Sequence, residues 1–238
     1  MRANKNAVVL LSGGLDSTTV LAMAVAEGWR CHALTINYGQ IHEHELTAAR
    51  RVAESLGATE HRLLDVDLHS WGGSSLVGDG AVPQNRDLEA ASDEIPSTYV
   101  PARNTIFLSL ALAWAEVLDA GAIFLGINAL DYSGYPDCRP GFLHAFEEVA
   151  RQGTRQGVEG RPPALRAPLA NKTKSEIIRW GMSLGVDYSL THTCYEPLSG
   201  GRPCRRCDSC LLREKGFREA GCPDPLLENG GMGKGESL

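Results

Sequence analysis

Apolar and polar residues fall along this chain in blocks whose lengths switch between those of strands and those of helices. Residues 7–11 (AVVLL) form a short unbroken apolar run, the pattern of a strand covered on both faces. Residues 17–27 predict a helix, and Gly28 behind them suits its C-terminal cap. "CHALTIN" (31–37) predicts a second strand. Residues 43–57 place Leu46, Ala49, Val52, Ala53 and Leu56 on one helical face and close on Gly57. "HRLLDV" (61–66) predicts a third strand. Strand, helix, strand, helix, strand at this spacing is the signature of an α/β fold, a Rossmann-like doubly wound parallel sheet.

The next 36 residues, 67–102, carry Gly, Ser, Pro and acids without a period, and a loop of that length inside a compact domain is usually functional or mobile. Residues 104–121 are apolar almost all round and predict a buried helix, followed by a fourth strand over 122–127. Turn formers crowd 131–142 and lead to a helix over 142–151, and 151–163 reads as a loop. Thr173 and Glu176 form a capping pattern that opens a helix over 173–185. The expected organisation is a nucleotide-binding domain over 1–190, a cysteine-rich region over 191–222 packed on it, and a disordered tail over 223–238.

Composition narrows the function classes. Hydrophobic content of 43% and charged content of 22% are those of a globular protein. The net charge of −6 argues against nucleic acid as a partner, since no global field draws a polyanion. The five-residue apolar run before Ser12 is too short for a signal peptide or a membrane span, so a cytoplasmic enzyme without membrane contact is expected. No segment marks an oligomeric interface; a homodimer is the expectation only because homodimers are common.

Ser12-Gly13-Gly14-Leu15-Asp16-Ser17 stands between the first strand and the first helix, where Rossmann-like folds bind phosphate. The glycines let backbone N–H groups approach an anion, the serines add hydroxyls, and the helix N-terminus adds favourable partial charge. The lysine of a Walker loop is missing, and Asp16 lies among the phosphate contacts instead. An aspartate there suits either a Mg²⁺ ion or a helix cap, and a plain glycine turn is the competing reading.

Seven cysteines are present, and Cys194, Cys204, Cys207 and Cys210 follow a C-x9-C-x2-C-x2-C spacing. Four thiolates so spaced can complete a tetrahedron with no open position, which predicts one structural Zn²⁺, with an iron–sulfur cluster as the rival. Cys222 reads as spare and Cys138 as a packed thiol. Arg202, Arg205, Arg206, Arg213, Lys215 and Arg218 around the cluster read either as a basic patch or as a solvated face. His42 and His44, two apart, point to different faces of a helix and do not predict a shared metal.

The S-G-G-x-D-S string resembles the PP-loop of the ATP pyrophosphatases, which split ATP between its α and β phosphates. "TINYGQ" (35–40), "YVPARNTIFLSLA" (99–111), "GINALDYSGYPDCRPGF" (126–142), "APLANKTKSEI" (167–177), "LTHTCYEP" (190–197) and the cysteine cluster follow in order. Together they resemble the QueC family of 7-cyano-7-deazaguanine synthases of queuosine biosynthesis, from about residue 7 to 220. The resemblance implies a C–N bond-forming ligase that takes ATP, 7-carboxy-7-deazaguanine and ammonia. It implies ATP binding by Leu11, Ser12, Gly13, Gly14, Leu15, Asp16, Ser17, Thr18, Thr19, Val20 and Leu21, with Mg²⁺.

Beside that resemblance, Lys172 before the 173–185 helix is a candidate for the β- or γ-phosphate, with a solvated lysine as the alternative. Arg103 and Asn104 open a buried helix, where the arginine suits a carboxylate or phosphate. Asp131, Tyr135 and Asp137 lie beyond strand four, at the sheet edge where ligands bind, and suit hydrogen bonds to or stacking on a deazaguanine. For each of these three, a plain turn is the alternative. The rival functions are a PP-loop tRNA thiolase, a nucleotide-binding module without catalysis, and a synthase recruited to another substrate.

Overall fold

In a computed structural model, which describes residues 5–41, 43–87, 95–128 and 134–228, the first apolar run becomes β1 (Asn6–Leu10) and hands the chain to α1 (Leu15–Ala26). There follow β2 (Arg30–Asn37), α2 (His44–Ser55), β3 (Glu60–Asp65), α3 (Arg103–Val117) and β4 (Ala122–Phe124). The described residues close with α4 (Pro140–Gly153), α5 (Arg155–Val158), β5 (Ala164–Arg166), α6 (Lys174–Ser183), α7 (Asp208–Ala220) and α8 (Pro225–Glu228). The strands form one parallel sheet in the order β3-β2-β1-β4-β5.

The alternation of side chains along β1 sorts the core into two layers. Ala7 and Val9 join α1, α2 and α6 on one face, while Val8 and Leu10 join α3 and α4 on the other. The sheet is centred on β1, which pairs with β2 on one side and with β4 on the other. The connections from those two neighbours run to opposite faces. A crevice therefore opens beyond the carboxyl ends of β1 and β4, the place where open α/β sheets bind ligands.

Several elements differ from the sequence reading. β4 ends at Phe124, short of the expected 127, and pairs in parallel with β5, an unexpected strand of three residues framed by prolines. α5 occupies part of the expected 151–163 loop, and its first turn is capped by Thr154, which accepts from the Gly157 N–H. α7 replaces what reads as a bare metal knuckle; it packs Phe217 into the α1/α6 layer and ends on Gly221 in the left-handed region. The expected disordered tail begins as structure, with Asp224 buried and α8 behind it, because Arg213 anchors Asp224; residues 229–238 lie outside the described residues. The long stretch after β3 is packed where it is described, burying Leu68, Leu76, Val77 and Val82. Among the described residues no helix is long and apolar enough to cross a membrane; α3, the longest, has 15 residues.

Candidate active site

The loop after β1 is shaped from both sides. Gly13 takes φ +83°, and a Cβ there would sit 2.5 Å from the Glu45 carbonyl oxygen and closer still to the Ala49 amide nitrogen, so α2 rests directly on its backbone. The Gly13 carbonyl accepts the His192 N–H at 2.9 Å, which ties the loop to the chain leading into the cysteines. Gly126, beyond β4, approaches the start of α1 so closely that a Cβ would lie 2.9 Å from the Ser17 nitrogen. Inside the loop, the Ser12 and Ser17 hydroxyls meet at 3.0 Å and the Gly14 N–H points to Ser12 Oγ at 3.3 Å. No side chain caps α1, so the first-turn amides that a helix always leaves over stay available.

Beyond this loop lies a cavity of about 220 Å³, bounded by the ends of β1, β2 and β4 and by α2, α3, α6 and α7. Of the predicted ATP segment, Leu11, Ser12, Gly14, Leu15, Asp16 and Ser17 line it. Gly13 lies behind it against α2, and Thr18, Thr19, Val20 and Leu21 are buried beneath, Thr19 bonded to the Tyr188 hydroxyl at 2.7 Å. Asp16 is not a helix cap: both its oxygens accept from Lys174 Nζ at 2.8 Å. The lysine that lines the cavity is thus Lys174. Lys172, two residues earlier, does not line the cavity; its Nζ lies 6.0 Å from the centre of the Trp180 ring. Thr173 between them holds a full capping box with Glu176, which fixes Lys174 at the first helical position, facing Asp16.

On the opposite wall Arg103, at the start of α3, stands 5.7 Å from the centre of the Tyr38 ring. Burial opposes its charge, but Tyr38, Tyr135, Tyr195 and Asp137 around it together hold its pKa above the ordinary value. Tyr38 is pushed up to about 12, mainly by burial and in part by Glu45. Glu45, in the first turn of α2, is raised to about 7 by burial, with Arg103 pulling the other way. Sequence reading missed Glu45, Lys174 and Tyr195 as cavity residues; the signal for the two charged ones was their place in the first turn of helices that converge on the loop.

The remaining candidates divide. Tyr135 lines the cavity and bonds Thr98 Oγ1 at 2.6 Å. Asn104 also lines it, but its side chain holds the turn at 136–138, donating to the Asp137 carbonyl at 3.1 Å and to Cys138 Sγ at 3.4 Å. Asp137 accepts the Asn104 N–H in the first turn of α3 at 3.0 Å, and it is buried and does not line the cavity. Asp131 and His42 lie outside the described residues.

The four predicted cysteines converge, all buried, with their sulfurs within 4.8 Å of one another. Four sulfurs about 2.3 Å from one ion would lie about 3.8 Å apart, so the set fits a tetrahedral metal. Backbone N–H groups already face the sulfurs: Cys204 to Cys194 at 3.2 Å, and Arg206 and Cys207 to Cys204 at 3.4 and 3.3 Å. The group could hold a metal ion. Cys222 stands apart beside Met182. The arginines near the cluster form no single basic patch, since Arg213 is buried against Asp224 and Arg205 pairs with Glu214 at 2.9 Å. The segment after β3 is clipped on here, through a bridge between Gln84 and Cys207 and the Asn85 N–H to the Arg206 carbonyl at 2.8 Å.

A family model described as "Queuosine biosynthesis protein QueC" matches residues 6–221. A 7-cyano-7-deazaguanine synthase of Syntrophus aciditrophicus (strain SB) is 58% identical over 228 residues, covering 95% of this chain and 99% of that protein. One from Kineococcus radiotolerans (strain ATCC BAA-149 / DSM 14245 / SRS30216) is 57% identical over 227 residues, with the same coverage of 95% and 99%. Among solved structures, an NMN synthetase from Francisella tularensis aligns with 93% of this chain and 79% of its own, at 18% identity and a TM-score of 0.49.

Proposed function

The chain belongs to the QueC family, and on that premise we propose that it is an ATP-dependent ligase converting 7-carboxy-7-deazaguanine and ammonia to 7-cyano-7-deazaguanine. The observation that carries this reading is the 58% identity to a synthase of that name across nearly the whole of both chains. The site supports it with a phosphate-binding loop, an opposed pair of cations and one shared cavity.

The chemistry makes sense of those parts. A carboxylate resists ammonia because its carbon is electron-rich and oxide is a poor leaving group. Transfer of its oxygen to the α-phosphorus of ATP makes an acyl adenylate, and ammonia then displaces AMP to give the amide. The amide oxygen is adenylated in turn, and its departure with AMP leaves the nitrile. On this reading the backbone N–H groups of Gly14, Leu15 and Asp16 and the hydroxyls of Ser12 and Ser17 cradle the departing pyrophosphate. Lys174 turns from Asp16 to a phosphate oxygen, and Asp16 would hold the Mg²⁺ that shields the phosphates. Thr35 and Ile36 at the end of β2 receive the adenine, and Arg103, beside Tyr38 on the wall opposite the loop, takes the carboxylate of the substrate.

Zinc is the ion that a closed set of four thiolates fits, and it would hold the 194–210 turn together without taking part in the reaction. The thiols outside the cluster are poor sulfur donors for a thiolase: burial pushes Cys138 to about 11 and Cys31 to about 12, and a thiol is not a nucleophile. The test is a balance sheet of products. Purified protein with ATP, Mg²⁺, ammonium and the carboxy-deazaguanine should release two AMP and two pyrophosphate per nitrile, read by mass spectrometry. ADP and orthophosphate in their place would overturn the reading.

A further inference from the structure

A second, much smaller recess of about 10 Å³ opens beside the main cavity. It shares Tyr38, Gln40, Glu45 and Tyr195 with the large one, and Leu76 and Ile41 complete it. That is the volume of a single water-sized molecule. Ile41 on its outer side is 53% exposed, whereas Leu76 is buried, so the recess lies between solvent and the cavity wall. Resting on the function proposed above, we infer that this recess is the ammonia subsite, with the Glu45 carboxylate accepting the proton that ammonium must lose before it attacks.

The surroundings of Glu45 suit that task. It is the acid of the recess, and among the described residues its carboxylate has no hydrogen-bond donor. Burial keeps the carboxyl near neutrality, at about 7, where a proton acceptor works best at ordinary pH. The charged and titratable groups around it are Arg103 from α3, Tyr38 from the end of β2 and Tyr195 from the chain beside the cysteines. The Arg103 cation disfavours a second cation nearby, so nitrogen in the recess is pushed toward neutral ammonia. The same arginine is placed to hold the acid, which sets the nucleophile beside its target.

The step balances as follows. Ammonium gives one proton to Glu45 and from there to solvent. The freed nitrogen lone pair forms the C–N bond at the acyl carbon, the bond to the AMP oxygen breaks, and AMP leaves with that electron pair. The attacking nitrogen loses a second proton to the departing phosphate, which leaves the neutral amide.

The test uses the full-length enzyme and two separable readouts. Exchange of labelled pyrophosphate into ATP, driven by the acid without ammonium, reports adenylation alone. In Glu45→Gln this exchange should survive while kcat/KM for ammonium falls about 100-fold. That deficit should shrink as pH rises and free ammonia becomes abundant, which a merely structural defect would not do. Leu76→Phe, which fills the recess while leaving the Glu45 carboxyl group in the chain, should lose ammonium use in the same selective way. Loss of exchange and nitrile formation together in Glu45→Gln, or unchanged ammonium kinetics in either variant, would overturn the subsite. Should Glu45→Gln fail to fold, Leu76→Phe decides alone. Absence of exchange in the unaltered enzyme would instead remove the underlying function.

Discussion

Two ion pairs flank the cavity, and they are built in opposite ways. Asp16 and Lys174 meet at its rim, 18% and 10% exposed, as a carboxylate facing a single ammonium. Arg213 lines another wall with Asp224 behind it, each 4% exposed, the guanidinium forked onto both carboxylate oxygens at 2.7 and 2.9 Å. Two further Arg213 donors go to Thr191 Oγ1 and the Tyr188 carbonyl. A lysine is a point charge on a flexible stem, so its partner can be exchanged for phosphate; an arginine with four N–H groups committed in a buried site cannot let go without stranding a charge. On the proposed function the first pair serves ligand exchange, and the second holds the wall.

That contrast can be broken by experiment. Asp224→Ala leaves Arg213 charged and buried, and should cost about 3–5 kcal/mol in denaturant unfolding; an unmoved midpoint would show that the sealed pair holds nothing. Asp16→Asn should do the reverse, lowering turnover by about 10²–10³-fold through lost organisation of the phosphate site while the unfolding midpoint barely shifts. Lys174→Met should raise the KM for ATP about 10-fold, the worth of one charge-assisted hydrogen bond, whereas Lys172→Met should leave steady-state kinetics near those of the parent. The smallest effect sets the baseline. Arg151→Ala removes a surface pair with Glu148, both more than half exposed, and should change stability by less than about 1 kcal/mol.

The framework of the fold was legible because each β–loop–α unit carries its own local signal. β1 is unbroken apolar sequence, Gly13 and Gly14 announce the tight loop, and the four cysteines lie close in sequence. Failures came where the deciding contact was distant. β5 is three residues between prolines and exists through its pairing with β4. The part played by Asp137 depends on an amide 33 residues upstream, at Asn104. Lys172 and Lys174 look alike in sequence, and only the capping of α6 by Thr173 decides which one faces Asp16. Glu45 read as one more polar position of an amphipathic helix, because no spacing rule reveals that the start of α2 rests on the loop.

The contact at Gly13 bears on transplantation. The hexapeptide from Ser12 to Ser17 does not own its curvature; a neighbouring helix, thirty residues onward, moulds it by leaving no space for even a methyl group. Grafting those six letters onto a foreign strand–helix junction would carry the spelling without the mould, and a working graft would have to bring the second helix along.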